Sequence, residues 1–479
     1  MEEQELLSSE TARVFLGVSR TTMHRLVQNG EVRRLKVGGQ WRFQKADLLA
    51  HLERKPVAIA AKSLPELDAE LAWWSEQAGA APSEEVTSPE EKIAALANMV
   101  FTVAIGRGAS DVHFEPGSDA ARLRVRVDGA LETAREMPTS VLVALVNRLK
   151  EWSQMSLEEN RVPQDGRILL SHGGQKFDLR LTTCPTTRGE TLTMSVLAEA
   201  KRLQLDALGL SEEQLAQVGD LAARPNGLIL LCGGRGSGKT TTFYALLESL
   251  QTDATKIVTL EDPPEATLPG ALQTPVNRRA GLTFASMMRA FLRLDPDIIG
   301  VGDLPDIETL ESAVQGALGG HLVIAQMNVP SIGEAIVRLR DMGLESFLLG
   351  AALRGLVAQT FVRRVCPDCT QSVELSPPVA MRLEEIAQRE EFALPQTANW
   401  QRGAGCAKCR QTGYRGRLAL FQVVEESDEL KTAILDGEDA GELAGIARES
   451  GSRTLWQSGL ERAANGETTT DELLRVLAM

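Results

Sequence analysis

The chain alternates between stretches of helical and strand-like hydrophobic spacing. Near the amino terminus, Ala12, Phe15 and Leu16 recur at helical spacing behind a Ser8 or Ser9 cap, and Ser19 starts a second short helix that Asn29-Gly30 ends. "RRLKV" and "QWRF" then flank Gly38-Gly39, which predicts a two-residue hairpin, and a last helix begins near Asp47. From Pro56 to Glu91 the pattern dissolves into Ala, Pro, Ser and Glu, as in a mobile tether. Its one sticky point is "LAWW", with Trp73 and Trp74, read as a helical turn docking on its own protein in preference to a linear partner motif. An amphipathic helix starts at Lys92, and "DVHFEP", "RLRVRVDG" and "FDLRLTTCP" alternate charged and apolar residues as half-buried strands do, around a helix over 138–152. Farther on, short apolar runs each stop on polar residues: 228–232 before a glycine-rich stretch, "KIVTL" before Glu261-Asp262, "IIGVG" before Asp303, and "LVIAQM" before Asn328.

The length of 479 residues suits three or four domains. A net charge of −14 argues against a whole-surface nucleic-acid binder but leaves room for a local basic patch. Residues 11–55 supply one, with ten Lys/Arg against three Asp/Glu, whereas 63–91 hold eight acids and no base, a reversal that marks a domain edge. No run approaches the roughly 18–20 apolar residues of a membrane span, and "MEEQELLSSE" is acidic where a secretory signal is basic and apolar, so a cytoplasmic protein is expected. Two short helices followed by a basic hairpin read as a winged helix-turn-helix. Arg20, Thr21, Thr22, His24 and Arg25 would face a DNA groove, and Lys36 and Arg42 on the wing would face phosphates; a protein-binding adaptor is the alternative.

The stretch "GGRGSGKTT" decides the class of chemistry. Gly233, Gly234, Arg235, Gly236, Ser237, Gly238, Lys239, Thr240 and Thr241 match the phosphate-binding loop in its strand–loop–helix context. Glycines let backbone N–H groups close on phosphate oxygens, Lys239 reaches the β and γ phosphates, and Thr240 ligates Mg²⁺. In an open parallel sheet ligands sit beyond the carboxyl ends of the strands, so Asp303, closing its strand, is placed to hold Mg²⁺ or orient the attacking water. The alternative for Asp303 is to cap the following helix. The small domain carries Arg122, Arg124, Arg126 and Arg180 on strands and Arg161 and Arg167 around "VPQDG"; composition leaves open whether they grip phosphate or form a salt-bridged sheet surface. Cys366, Cys369, Cys406 and Cys409 form two Cys-x-x-Cys pairs, able to close a tetrahedral Zn²⁺ site, with redox pairs as the alternative; Cys184 and Cys232 read as small core residues.

Residues 6–52 resemble excisionase-type DNA-binding domains, including "GVSR" and "VGGQWRF". Residues 92 to about 425 resemble the ATPases of type II secretion and type IV pilus assembly. The resemblance is carried by "RGASDVHFEP", "RVDG", "VPQDGRI", "GGRGSGKTTT", "VTLEDPPE", "AGLTFASMMRAFLRLDPDII", "GHLVIAQ", "LVAQTFVRRVCPDC" and "GCAKCRQTGYRGR". It implies a homo-hexameric, Mg²⁺-dependent, ATP-hydrolysing motor working on inner-membrane assembly partners, with nucleotide between the arginine-rich domain and a RecA-like core. It also implies that Arg167 and Arg180 contact phosphate, that Glu261 and Glu265 form an acidic box, that Glu261, Lys239, Asp303 and Asn328 are catalytic, and that the four cysteines hold zinc. Three departures stand out. The acid at Asp303 is a methylene shorter than the family's Glu, Pro305 replaces an arginine, and Asn328 replaces a histidine. His321 matches the family's other histidine but precedes its strand, roughly 20 Å from the phosphate end, where a structural role is expected. Slow hydrolysis follows from these departures, because misplacing a catalytic group by about 1 Å can cost on the order of a hundredfold.

The expected fold is α/β: a RecA-like P-loop NTPase core preceded by a small α/β domain and a winged helix-turn-helix, with an inserted tetracysteine zinc element and C-terminal helices. The expected divisions are 1–55 helix-turn-helix, 56–91 acidic linker, 92–200 small domain, 201–362 core, 363–418 zinc element and 419–479 helices whose Leu and Ala stripes pack on neighbours. A motor is the leading reading; a DNA-binding regulator gated by nucleotide is its alternative.

Overall fold

A computed structural model describes residues 6–9, 11, 12, 27, 34–37, 40–44, 64–79, 88–198, 203–395 and 397–478. In the amino-terminal part, β2 (Leu35–Val37) and β3 (Gln40–Gln44) pair antiparallel, and β1 (Leu6–Ser8) adds a third strand to β3. Lys36 on β2 is exposed, 5.9 Å from the Trp41 ring, and Arg42 is half-buried on β3. Arg20, Thr21, Thr22, His24 and Arg25 lie outside the described residues.

The tether expectation fails over Leu64–Ala78, which is a helix. Leu67, Leu71 and Trp74 form a stripe at helical spacing that buries in the small-domain core, and buried Glu70 takes Arg135 with both oxygens at 3.0 Å. The acid- and Ala-rich composition hid that stripe. The next helix begins at Pro89, not Lys92, because Ser88 and Glu91 close a reciprocal cap around its first turn.

Six antiparallel strands form the small-domain sheet: β4 (Ala109–Glu115), β5 (Ala121–Val127), β6 (Ala130–Met137), β7 (Gln164–His172), β8 (Gln175–Thr186) and β9 (Gly189–Ala198), in the order β6-β5-β4-β9-β8-β7. On β5 the alternation sends Leu123 and Val125 inward and Arg122, Arg124 and Arg126 outward. Those three arginines are taken by β4, with Arg122 and Arg124 at Glu115 and Arg126 at Asp111, so on this strand the salt-bridged sheet surface prevails. Cys184, expected in the core, is exposed, whereas Cys232 is buried.

The core is a seven-stranded sheet of β10 (Gly227–Cys232), β11 (Ile257–Glu261), β12 (Ala271–Pro275), β13 (Ile298–Val301), β14 (Leu322–Met327), β15 (Leu353–Val365) and β18 (Tyr414–Glu425), ordered β12-β11-β13-β14-β10-β15-β18. Every residue of β10 is buried because both faces are covered. Leu228, Leu230 and Cys232 face one helical layer, while Ile229 and Leu231 face the layer holding the helices Glu212–Ala222 and Lys239–Ser249. The core does not end at residue 362. β15 and β18 pair antiparallel within this sheet, and the cysteine element is an insertion between them, with its own β16 (Thr370–Ser372) and β17 (Gln401–Gly403).

The carboxy-terminal helices pack on the core as expected, and one clamps the exit of β15. Glu472 has a fully buried side chain that accepts from Arg363 at 2.7 Å and Arg475 at 2.6 Å, while Arg363 stacks 4.1 Å over Tyr414. Burial alone would push this carboxyl up, but the hydrogen bonds from Arg475 and Arg363 hold it at about 2. A depressed folded pKa contributes stability that is complete above the unfolded value and lost as pH falls toward 2. Glu472→Gln should therefore lower stability by on the order of 2 kcal/mol at pH 7, less than the full shift because solvent reaches Arg475. Denaturant melts at pH 7 and pH 3 check this: the difference between parent and variant should shrink at the lower pH.

Candidate nucleotide site and metal centre

Register brings the site together. Cys232 pairs with Met327, Val301 with Ala325, and Leu260 with Val301, so the four parallel strands β11, β13, β14 and β10 end at one edge. Residues 233–238, Asp303, Asp262 and Asn328 all follow those ends.

The loop is built by close approach. A Cβ at Gly233 would lie 2.4 Å from the Gln359 carbonyl oxygen, and one at Gly238, where φ is 93°, would lie 2.7 Å from the Phe361 ring. Gln359, a buried polar residue inside β15, also accepts from Thr242 at 2.6 Å. Lys239 is 7% exposed, its ammonium donating to the Gly233 and Gly234 carbonyls at 2.7 and 2.9 Å, and burial pulls its pKa down. The Ser237 hydroxyl is buried without a hydrogen-bond partner, and Arg235 is exposed. A loop closed to a Cβ at Gly233 and Gly238, a buried ammonium and an orphaned hydroxyl fit a polyphosphate.

Asp303 is half-buried, its Oδ1 accepting the Leu304 N–H at 3.0 Å. Burial pushes its carboxyl up; Leu304 and Lys239 oppose this and Asp262 adds to it. The helix Ile307–Leu318 is capped by Asp306, which accepts Thr309 N–H at 2.8 Å, so capping falls to Asp306 and not Asp303. Thr240 donates to Glu265, an exposed residue, at 3.4 Å; partial desolvation by the surrounding loop raises the Glu265 carboxyl, opposed by Arg180, Thr240 and Lys239. Arg180 and Arg167 are cross-strand neighbours sharing Asp178, at 3.8 and 2.6 Å.

Two expected members sit differently. Glu261 is 4% exposed, its carboxylate enclosed by hydrogen bonds from Tyr244, Thr259 and Gln273. Asn328 is exposed and lines a surface cavity with Val329, Pro330, Glu334 and Arg338. His321, at the opposite end of its strand, bonds the Pro296 carbonyl at 2.7 Å. Arg417, not singled out from sequence, stacks 4.4 Å over Phe361 and donates to the Gly236 carbonyl at 3.5 Å.

A family profile described as type II/IV secretion system protein matches residues 87–475. The chain belongs to that family. Among its relatives, the type IV pilus assembly ATPase PilB of Thermus thermophilus is 39% identical over 82% of this chain and 44% of its own length. The type II secretion system protein HxcR of Pseudomonas aeruginosa is 40% identical over 80% of this chain and 76% of its own length. The X-ray structure of the Legionella pneumophila ATPase DotB shares the fold, with TM-score 0.56 at 17% identity over 83% of this chain and 98% of that one. Membership makes the glycine-rich loop that of a P-loop ATPase. A helix-turn-helix domain profile matches residues 6–56, placing a second, separate domain ahead of the family region.

The four cysteines come together. Their sulfurs lie within 4.8 Å of one another, with Cys366–Cys406 at 3.9 Å, Cys369–Cys409 at 3.8 Å and Cys406–Cys409 at 3.7 Å. Tetrahedral thiolates about 2.3 Å from a zinc ion stand about 3.8 Å apart, so this donor set can hold a metal. Burial works against ionisation of Cys409, yet N–H donation from Cys406 and Gly413 brings its thiol down to about 6. The element also touches the small domain, through Arg410 to Glu132 at 3.1 Å, and β18 beside it does so through the Gly416 N–H to Asp128 at 2.9 Å.

Proposed function

We propose that the chain is a hexameric, Mg²⁺-dependent ATPase that couples nucleotide state to inner-membrane partners in pilus assembly or type II secretion, the two settings that the names of its relatives give. The observation that carries the nucleotide reading is the buried Lys239 ammonium resting on two loop carbonyls, with Asp303 and Glu265 within its charge range. Lys239 exchanges those carbonyls for phosphate oxygens, and the loop N–H groups and Ser237 hold the rest. A magnesium ion, held through Thr240 and Asp303, would neutralise phosphate charge. Glu265, exposed and next to Thr240, receives the proton of the attacking water, a task the enclosed Glu261 is not placed to do. Arg180 and Arg167 balance phosphate charge from the small domain. Zinc in the cysteine site is structural, since four thiolates leave no open position. Among the described residues no helix is long and apolar enough to cross a membrane, in keeping with partners that carry the membrane contact.

Asp303→Glu tests the slow-turnover expectation. Restoring the missing methylene should raise steady-state ATP hydrolysis by roughly tenfold or more; an unchanged rate removes it.

The helix-turn-helix match favours a second role, DNA contact through residues 1–55 with Lys36 and Arg42 on phosphates. Gel shifts with the full chain should show binding that weakens steeply with salt and is lost when both cations become Ala. Salt-independent retention, or no binding at all, leaves the domain as a protein adaptor.

A further inference from the structure

The loop that carries Glu265 is held from beneath. The Tyr244 hydroxyl, on the phosphate-loop helix, accepts the backbone N–H of Glu265 at 3.0 Å and of Ala266 at 3.3 Å. The same hydroxyl donates to Glu261, and Tyr244 is only 2% exposed. Glu261 in turn accepts from Thr259 at 2.6 Å and from Gln273 at 3.1 Å. Gln273 fixes the far side of the loop, donating to the Ala266 carbonyl at 2.9 Å and accepting the Leu268 N–H at 2.7 Å. The three donors to the Glu261 carboxylate, Tyr244, Thr259 and Gln273, are neutral, so a charge there needs these bonds to stay buried. One hydroxyl thus joins the helix that starts at Lys239 to the loop that bears Glu265.

We propose that Tyr244 and Glu261 are positioning residues, a buried strut that fixes Glu265 against Thr240 so that proton transfer occurs in register with the bound phosphates; this rests on Glu265 being the base. Neither residue touches substrate. The hydroxyl is chosen because it alone can accept two backbone N–H groups through its lone pairs while giving its proton to a carboxylate. Glu261 orients that hydroxyl: a carboxylate can only accept, so the Tyr244 proton points to it and both lone pairs point to the loop. Glu261, placed among catalytic residues by sequence, becomes the support of the neighbouring acid.

Tyr244→Phe keeps the ring and removes the hydroxyl. ATP hydrolysis, nucleotide affinity by titration calorimetry and melting temperature should be measured on this variant, Glu265→Gln and the double variant. The expected result is a kcat lower by about tenfold to a hundredfold with affinity and KM within about twofold, and a double variant no slower than Glu265→Gln alone. A Tyr244→Phe rate equal to the parent's, or multiplicative losses in the double variant, overturns the strut while leaving Glu265 as base. Parent-like turnover by Glu265→Gln overturns the base assignment itself. If Tyr244→Phe fails to fold, Glu261→Gln serves, because its amide oxygen can still accept the Tyr244 proton. It should lose less activity than Glu265→Gln, and a loss as large would make Glu261 the catalytic acid and end the proposal.

Discussion

Glu265→Gln should slow ATP turnover by roughly 10²–10⁴ while nucleotide affinity stays within about threefold. The amide keeps the size of the side chain and its contact with Thr240, 3.4 Å away in the parent, but cannot accept a proton at neutral pH. Binding is carried elsewhere, by the loop and Lys239, so the loss should appear in kcat with KM little changed. Steady-state hydrolysis beside equilibrium binding of an ATP analogue checks it. A loss of affinity as large as the loss of rate would instead make Glu265 part of the binding cradle.

Removing the metal should have the second large effect. Fresh protein should carry about one zinc per chain, and Cys409→Ser, or a strong chelator, should lower the melting temperature by roughly 10 °C or more, since a structural zinc site contributes folding energy directly. The element between β15 and β18 buries little core of its own: among its described residues, Leu383, Ile386 and Ala387 are the buried apolar ones besides Cys366 and Cys409. Without the ion, nothing joins the four sulfurs, and both strands that flank the insertion lose their cross-link. Cleavage within 370–405 by added protease should quicken about tenfold, and the Arg410–Glu132 contact with the small domain should go with it. Metal content well below one per chain, or an unchanged melt after chelation, would contradict this.

How much of this was legible in the sequence depended on whether a residue's task is local. Lys239, Thr240 and the glycines act within one loop, so spacing alone found them. The four cysteines came in two pairs and were equally plain. Asp303 stands out because a carboxylate ends an apolar run, and the cap of the following helix falls to Asp306 instead. Glu261 and Glu265 lie four residues apart with identical chemistry, and sequence could not say which faces the loop. That choice is made by Tyr244, Thr259 and Gln273, drawn from three different elements. Asn328 was expected at the phosphate because it replaces a family histidine, yet its side chain lines an outer cavity. The helix Leu64–Ala78 escaped because its three buried anchors sit among acids and alanines, and only tertiary burial distinguishes such a stripe from a solvated tether. Tyr244 and Gln359 carry no sequence signal, because each is one polar residue among several in its element, beside Thr240, Thr241 and Thr242 in the helix and Thr360 in the strand.

The most direct test of the account is a structure determined with Mg²⁺ and a non-hydrolysable ATP analogue. It should place the terminal phosphate against Lys239, with Thr240 and Asp303 around the magnesium and the Glu265 carboxylate within one water of the γ-phosphorus. A structure with Asp303 turned to solvent, or with Glu261 in the position assigned to Glu265, would contradict it.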